Sequence, residues 1–114
     1  MDYNYAVEML VKGVKKQTGM SARELRDVCE HGADYGVPGF TYYNETCGFY
    51  KKYKEEIWEI AAEDADQMGY KGVMDMVQHF GCMNGGEVSD PDLFENCMAW
   101  YALEWVARYL NPDY

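Results

Sequence analysis

Basic residues, histidine and long apolar runs are all scarce in this chain. The 114 residues include 10 Lys and Arg against 20 Asp and Glu, which gives a formal net charge of −10 at pH 7. A surface that binds nucleic acid directly is therefore disfavoured, because phosphate binding needs clustered Lys and Arg. No apolar run approaches the roughly 20 residues that span a bilayer, and the N-terminus lacks the basic and apolar regions of a signal peptide. We therefore expect a cytoplasmic protein that binds neither nucleic acid nor membranes.

The motifs of common catalytic and metal sites are absent as well. The chain has no GxSxG, phosphate-binding loop, HExxH, zinc-finger spacing or EF-hand loop. Its four cysteines form no CxxC pair and are predicted to be reduced thiols. One alternative stays open, since Cys29, His31, His79 and Cys82 form two close pairs that could bind zinc, although packing at helix ends explains the histidines more simply. We predict no metal, no cofactor, no catalytic residue and hence no enzymatic activity.

Hydrophobic periodicity is helical almost throughout the chain. Apolar residues at i, i+3, i+4 and i+7 predict a first helix over 5–17, which Gly19 would end. A capping box of Ser21 and Glu24 predicts a second helix that ends near residue 31. A turn is predicted at Pro38-Gly39, followed by a helix over 42–53 that Thr41 would cap and that would bend near Gly48. The alternative for the start of this segment is a strand over 40–43. Two further helices are predicted, one over 51–68 that Gly69 would end and a shorter one over 72–80.

The last helix is predicted to form the centre of the fold. Ser89 or Asp90 would cap it, Pro91 suits its first turn, and its pattern continues to about Leu110. It is apolar nearly all round, which is typical of a helix in the middle of a bundle. We therefore predict a single all-α domain over 1–114, a compact bundle of five or six helices with this helix at its centre.

Acidic residues are concentrated in the second half of the chain. Residues 1–54 carry seven acids and eight bases, whereas residues 55–114 carry thirteen acids and two bases. Glu55, Glu59 and Glu63 repeat at i, i+4, a spacing at which like charges destabilise a helix by a few tenths of a kcal/mol per pair. Three interpretations stay open: a solvated face that keeps the protein soluble, a cation site, or an anionic surface that docks into a basic groove built for nucleic acid.

Aromatic residues cluster between 40 and 53 more densely than one helix face requires. Tyrosine is enriched at protein interfaces, where it offers a large rigid area and a polar tip. We predict that Tyr42, Tyr43 and Tyr50 add apolar contact to a partner-binding surface, with core packing as the alternative.

Three stretches of the chain resemble a family of small acidic bacteriophage and prophage proteins to which no biochemical function is assigned. They are residues 39–43 with Phe49-Tyr50, residues 56–70, and residues 99–108. The resemblance implies an inhibitor of host defence, of the anti-CRISPR or antirestriction kind, that binds a host nuclease or surveillance complex. It assigns no role to any individual residue.

The leading hypothesis is a phage-encoded, non-enzymatic inhibitor that acts in the host cytoplasm. Its acidic surface of Glu55, Glu59, Glu63 and Asp66 would mimic nucleic acid and occupy the binding groove of a host nuclease complex. The alternative is a phage structural or assembly factor, or a homo-oligomeric module such as a homodimer, that uses the aromatic surface. A third hypothesis is a small metalloprotein or enzyme built on the two Cys–His pairs.

Overall fold

Six α-helices account for most of the residues that the structure describes. The computed structural model describes residues 2–31, 36–80, 83 and 85–113, and gives the backbone alone at 29–31. Within these residues there is no strand, and no helix is long and apolar enough to cross a membrane. The prediction of an all-α bundle is therefore confirmed. The helices are α1 (Tyr3–Thr18), α2 (Ala22–His31), α3 (Tyr43–Lys52), α4 (Lys54–Gln67), α5 (Val73–Gln78) and α6 (Pro91–Leu110).

Several helix ends follow from local side-chain chemistry. Gly19 ends α1 in the left-handed region, with φ at 68°. At the start of α2, the backbone N–H of Glu24 donates to Ser21 Oγ at 3.2 Å, and the backbone N–H of Ser21 donates to Glu24 Oε1 at 3.1 Å. Asp90, and not Ser89, caps α6, since its Oδ1 accepts two backbone N–H groups at 3.2 and 3.3 Å. These are the caps that satisfy the free amides of a helix start.

The segment before α3 is a turn and not the alternative strand. The backbone N–H of Phe40 donates to the carbonyl of Val37 at 3.1 Å, and Gly39 takes the positive φ of 80° that such a turn requires. The Thr41 hydroxyl donates to the same Val37 carbonyl at 3.2 Å, so the prediction that Thr41 caps α3 is wrong. Gln17 fixes the turn to α1, because its Nε2 donates to the Gly39 carbonyl at 2.9 Å.

The break between α3 and α4 falls at Tyr53, so the bend predicted at Gly48 and the start predicted for the next helix are both wrong. The Tyr53 N–H donates to the carbonyl of Phe49 at 3.0 Å, and its carbonyl accepts from Ile57 N–H at 2.9 Å. One residue therefore ends α3 and begins α4. The Tyr53 ring lies over Gly13 of α1, where an added Cβ would be 2.5 Å from the ring carbon Cζ. Only glycine at position 13 permits this close approach.

Helix α6 lies at the centre of the bundle, as predicted. It packs against α1, α2, α3 and α5, while α1 also packs against α4. Its buried residues point in nearly every direction around the helix axis, so that little of its surface remains for solvent. They are Phe94, Cys97, Met98, Ala99, Tyr101, Ala102, Leu103, Val106 and Ala107.

The cysteines differ from the prediction of four reduced thiols. Cys97 is disulfide-bonded, and the sulfur it bonds lies outside the described side chains. Sequence spacing does not reveal which sulfur atoms the packing of helices brings within bonding distance. Cys47 is a free thiol, and burial raises its pKa.

Candidate functional site

One face of α4 carries the predicted row of carboxylates. The fully buried Ile57 and Ile60 mark the face of α4 that enters the core. An α-helix has 3.6 residues per turn, so the predicted acids lie on the opposite face. Three of them are exposed, and Glu59 is partly exposed. The row consists of Glu55, Glu59, Glu63 and Asp66, and we call it the acidic row.

The acidic row has no cationic partner within the described part of the chain. The ion pairs found there join Lys12 to Glu8, Lys51 to Glu95 and Arg108 to Glu104, all on other helices. A neutral contact is made instead, because Gln67 Nε2 donates to Glu63 Oε1 at 3.2 Å. No described side chain therefore neutralises the negative charge of the acidic row, which faces solvent.

Carboxylates in the C-terminal half of α4 also act on α1. Burial raises the pKa of the Tyr3 hydroxyl, and the neighbouring carboxylates of Asp64 and Glu63 raise it further. Negative charge near a phenol opposes its ionisation. The side of α1 that adjoins α4 is therefore in the negative potential of this helix.

The C-terminal end of helix α4 carries acids against the preference of the helix macrodipole. Glu55 and Glu56 in the first turn suit the positive N-terminal end, but the last turn contains no basic residue. Asp64 and Asp66 stand close to the C-terminal end, where the macrodipole is negative and acidic side chains are unfavourable by about 0.3–1 kcal/mol each. The macrodipole therefore favours the acids of the first turn of α4 but does not explain those of its last turn.

Tyr42 and Tyr43 are both exposed, and Tyr43 lies beside a different group of acids. Tyr42 is 68% exposed and Tyr43 is 49% exposed. Burial raises the pKa of Tyr43, and the next contributions include the charges of Asp92 and Asp90 at the start of α6. Tyr43 thus borders the start of α6, whereas the acidic row follows α4.

Tyr50 is a core residue, and the prediction that it contacts a partner is wrong. Its side chain is only 3% exposed, and the Trp58 indole N–H donates to its hydroxyl at 2.7 Å. Its ring meets Phe94 edge-on, with centroids 6.1 Å apart. Thr46 and Cys47, one turn earlier on the same face of α3, are buried as well. Tyr50 therefore packs between helices, with its polar tip satisfied.

One concave feature of the described surface is a groove that the sequence did not indicate. It has a volume of about 470 Å³ and lies where the C-terminal part of α4, the end of α5 and the second half of α6 meet. We call it the aromatic groove. Its described lining residues are Asp64, Met68, His79, Phe80, Trp100, Tyr101, Glu104, Trp105 and Arg108.

A hydrogen bond between α6 and α4 joins two of the residues that line the aromatic groove. The Tyr101 hydroxyl donates to Asp64 Oδ2 at 2.6 Å. Burial raises the pKa of Tyr101 strongly, and the hydrogen bond to Asp64 raises it further. Tyr101 is therefore a neutral donor at physiological pH. One sequence feature could have placed Asp64 here: it continues the inward stripe of Ile57, Ile60 and Ala61 at helical spacing.

The open zinc hypothesis falls mostly outside the described side chains. The side chains of Cys29, His31 and Cys82 belong to that part of the chain. Among the side chains that are described, no group of three His, Cys, Asp or Glu could hold a metal ion. His79 has the helix-end role considered for it, since its Nδ1 lies 2.8 Å from the carbonyl oxygen of Asp75.

Comparison with known families gives a match over nearly the whole chain. A family model described as a domain of unknown function (DUF7222) matches residues 5–113. No curated protein and no solved structure matches the chain.

Proposed function

Because the chain belongs to the DUF7222 family of domains of unknown function, we propose its function from its surface chemistry. The protein is a non-enzymatic inhibitor encoded by a phage or mobile element. Its acidic row occupies a basic, nucleic-acid-binding groove of a host defence nuclease or CRISPR complex. The resemblance of three stretches to small acidic phage proteins supports the same class of partner.

The observation that carries this proposal is the placement of the acids on α4. Glu55, Glu59 and Glu63 repeat at i, i+4, so successive carboxylates are separated by about 6 Å of helix rise. Asp66 extends the row into a turn where an acid opposes the macrodipole. Each feature costs the fold some stability. A basic groove would recover that cost by exchanging its counterions for these fixed carboxylates.

The absence of an enzymatic role is also a proposal, and the thiol chemistry supports it. Burial raises the pKa of Cys47, and the charges of Glu95 and Asp92 raise it further. A nucleophilic cysteine requires the opposite shift, toward the thiolate. We place the action of the inhibitor in the host cytoplasm, where its targets bind nucleic acid.

The test is capture of the target followed by inhibition. The tagged protein is incubated with nuclease-treated lysate of the bacterial host and washed at low and then at high salt. A captured nucleic-acid-binding protein is purified, and its binding to nucleic acid is titrated with the inhibitor. We expect the variant with Glu55→Gln, Glu59→Gln and Glu63→Gln to lose inhibition, with its helix content unchanged by circular dichroism.

A matched control removes the same amount of charge elsewhere. Glu8, Glu87 and Asp113 are exposed acids outside the acidic row, and changing all three to their amides also lowers the negative charge by three. This control should inhibit as the unchanged protein does. Inhibition retained by the first variant, or lost equally by both, would contradict the proposal.

A second function is favoured by the exposed aromatic side chains. Tyr42 and Tyr43 are adjacent at the start of α3, and Tyr5 and Tyr109 are also about half exposed. Such residues suit a homo-oligomeric or assembly interface. Sedimentation equilibrium at low and high salt distinguishes the two functions. A dimer that persists at high salt and dissociates on Tyr42→Ser with Tyr43→Ser would favour the interaction module.

A further inference from the structure

The walls of the aromatic groove are rings that other rings hold in place. Trp100 packs on Phe40, with centroids 5.9 Å apart. Trp105 stacks on Tyr109 at 5.2 Å, with the two ring planes 10° apart. These contacts restrict the indole rings before any ligand arrives. A preformed aromatic wall reduces the ordering cost of binding.

A second pair of stacked rings completes the wall beside the carboxylate. Phe80 stacks on Tyr101, with centroids 5.5 Å apart. Because Tyr101 donates to Asp64 Oδ2 at 2.6 Å, the carboxylate is fixed against the same ring. Among the described residues, no hydrogen bond is made to its second oxygen, Oδ1.

The charge lining the groove favours a cation. Asp64 is partly buried and belongs to no ion pair within the described residues. Glu104 supplies a second carboxylate at the rim, 3.9 Å from the guanidinium of Arg108. Among the Asp, Glu, Lys and Arg residues of the described lining, two carboxylates and one guanidinium leave a formal charge of −1.

We propose that the aromatic groove binds a guanidinium group, stacked on the indole rings and hydrogen-bonded to the Asp64 carboxylate. A planar guanidinium combines the two interactions that this lining offers, because it stacks on aromatic faces and donates to carboxylates in its own plane. The volume of about 470 Å³ lies within the range of ligand pockets. This site is separate from the acidic row, and the inference does not rest on the proposed function.

The guanidinium could belong to a free small molecule or to an arginine in a peptide, and the probes separate these sources. The first probe is N-acetyl-arginine amide, and the second is an acetylated Gly-Gly-Arg-Gly-Gly amide. N-acetyl-citrulline amide is the neutral control, because it keeps the shape of the side chain but carries no charge. Equal affinity for the first two probes indicates a free ligand, whereas tighter binding of the peptide indicates a chain segment.

Binding is followed through the tryptophan indole N–H resonances in a two-dimensional NMR titration. Trp100 and Trp105 line the groove, whereas the Trp58 indole is engaged by the Tyr50 hydroxyl elsewhere. We expect the arginine probes to shift the first two resonances in a saturable way and to leave the third in place. The citrulline probe should shift none of them.

Two aspartates on α4 provide the matched pair of variants. Asp64→Asn removes the charge from the groove and keeps an oxygen that can accept the Tyr101 hydrogen bond. Asp66→Asn makes the same chemical change two residues later, on the exposed face. We expect Asp64→Asn to weaken binding of the arginine probe about tenfold or more and Asp66→Asn to leave it unchanged.

Glu104→Gln serves as a second variant if Asp64→Asn does not fold, which the Trp58 resonance would report. Glu104 is a largely exposed rim residue, with 62% of its side chain accessible, and its loss should weaken the arginine probe about threefold. The inference is overturned if neither arginine probe binds, if citrulline binds as well as arginine, or if the folded carboxamide variants keep full affinity.

Discussion

The contact of Gly13 with the Tyr53 ring makes a specific prediction about the joint between α1 and α4. Alanine is a better helix former than glycine by about 1 kcal/mol, so Gly13→Ala would stabilise an unhindered helix. Here the added Cβ would lie 2.5, 2.8 and 2.9 Å from three ring carbons of Tyr53. Ordinary carbon–carbon contact is about 3.5–4.0 Å, so either the ring or the helix must move.

The ring cannot move freely, because it also packs against neighbouring groups of α3. The rings of Tyr53 and Phe49 have centroids 4.9 Å apart, and the Lys52 ammonium lies 5.6 Å from the Tyr53 centroid. Overpacking typically costs about 1–3 kcal/mol. The 2.5 Å approach to Tyr53 Cζ places this contact in the upper part of that range, at about 2–3 kcal/mol. After the gain in helix propensity, the net loss for Gly13→Ala is about 1–2 kcal/mol, which corresponds to a melting temperature lower by about 4–8 °C.

The assay is urea denaturation followed by circular dichroism, with calorimetry for the melting temperature. Gly48 is the control, because it is exposed in α3 and an added Cβ would meet nothing within 4 Å. Gly48→Ala should stabilise the protein by about 0.5–1 kcal/mol. In a Tyr53→Ala background, Gly13→Ala should become stabilising too. If Gly13→Ala alone stabilises the protein as much as Gly48→Ala does, the reasoning is refuted.

Three further predictions concern the core and the turn before α3. Folding raises the pKa of Tyr101 above its usual 10.0, so the stability that its neutral form contributes is complete below about pH 10 and is lost at higher pH. In urea titrations from pH 8 to 11, the free energy of unfolding should therefore decline less steeply for Tyr101→Phe than for the unchanged protein. Tyr50→Phe should lower the free energy of unfolding by about 1 kcal/mol, since the Trp58 N–H loses its acceptor, and should leave target binding unchanged. Weaker target binding with unchanged stability would show instead that Tyr50 contacts the partner. Gly39→Ala should cost about 2 kcal/mol or more by denaturant titration, because its φ is 80°; an unchanged midpoint would contradict this.

The features that could be predicted from sequence depend on residues close together in the chain. The capping box of Ser21 and Glu24 closes within four residues, and the Asp90 cap satisfies the amides that follow it directly. The central position of α6 also follows from one segment, because a helix that is apolar on all sides must be covered on all sides. The exposed face of α4 was predictable from the spacing of its acids alone.

The features that were missed depend on contacts between distant residues. Tyr50 is buried because Trp58 and Phe94 meet it, and Phe94 is far from it in the chain. The aromatic groove depends on the bond of Asp64 to Tyr101, which are 37 positions apart. Helical spacing sets Asp64 apart from the exposed acids around it, but only the relative placement of the helices shows that it meets Tyr101.

The side chains of α4 have a further consequence for how the molecule meets a charged partner. At the start of the helix, Glu55 and Glu56 offset the charges of Lys52 and Lys54, whereas its last turn holds Asp64 and Asp66 and no basic residue. The net negative charge of the last turn therefore adds to the macrodipole of the helix. The result is a permanent electric dipole along α4, with its negative pole at the C-terminal end. In the field of a basic surface, the protein would rotate to present this end before contact. Orientation during diffusion raises the association rate constant more than it lengthens the lifetime of the complex.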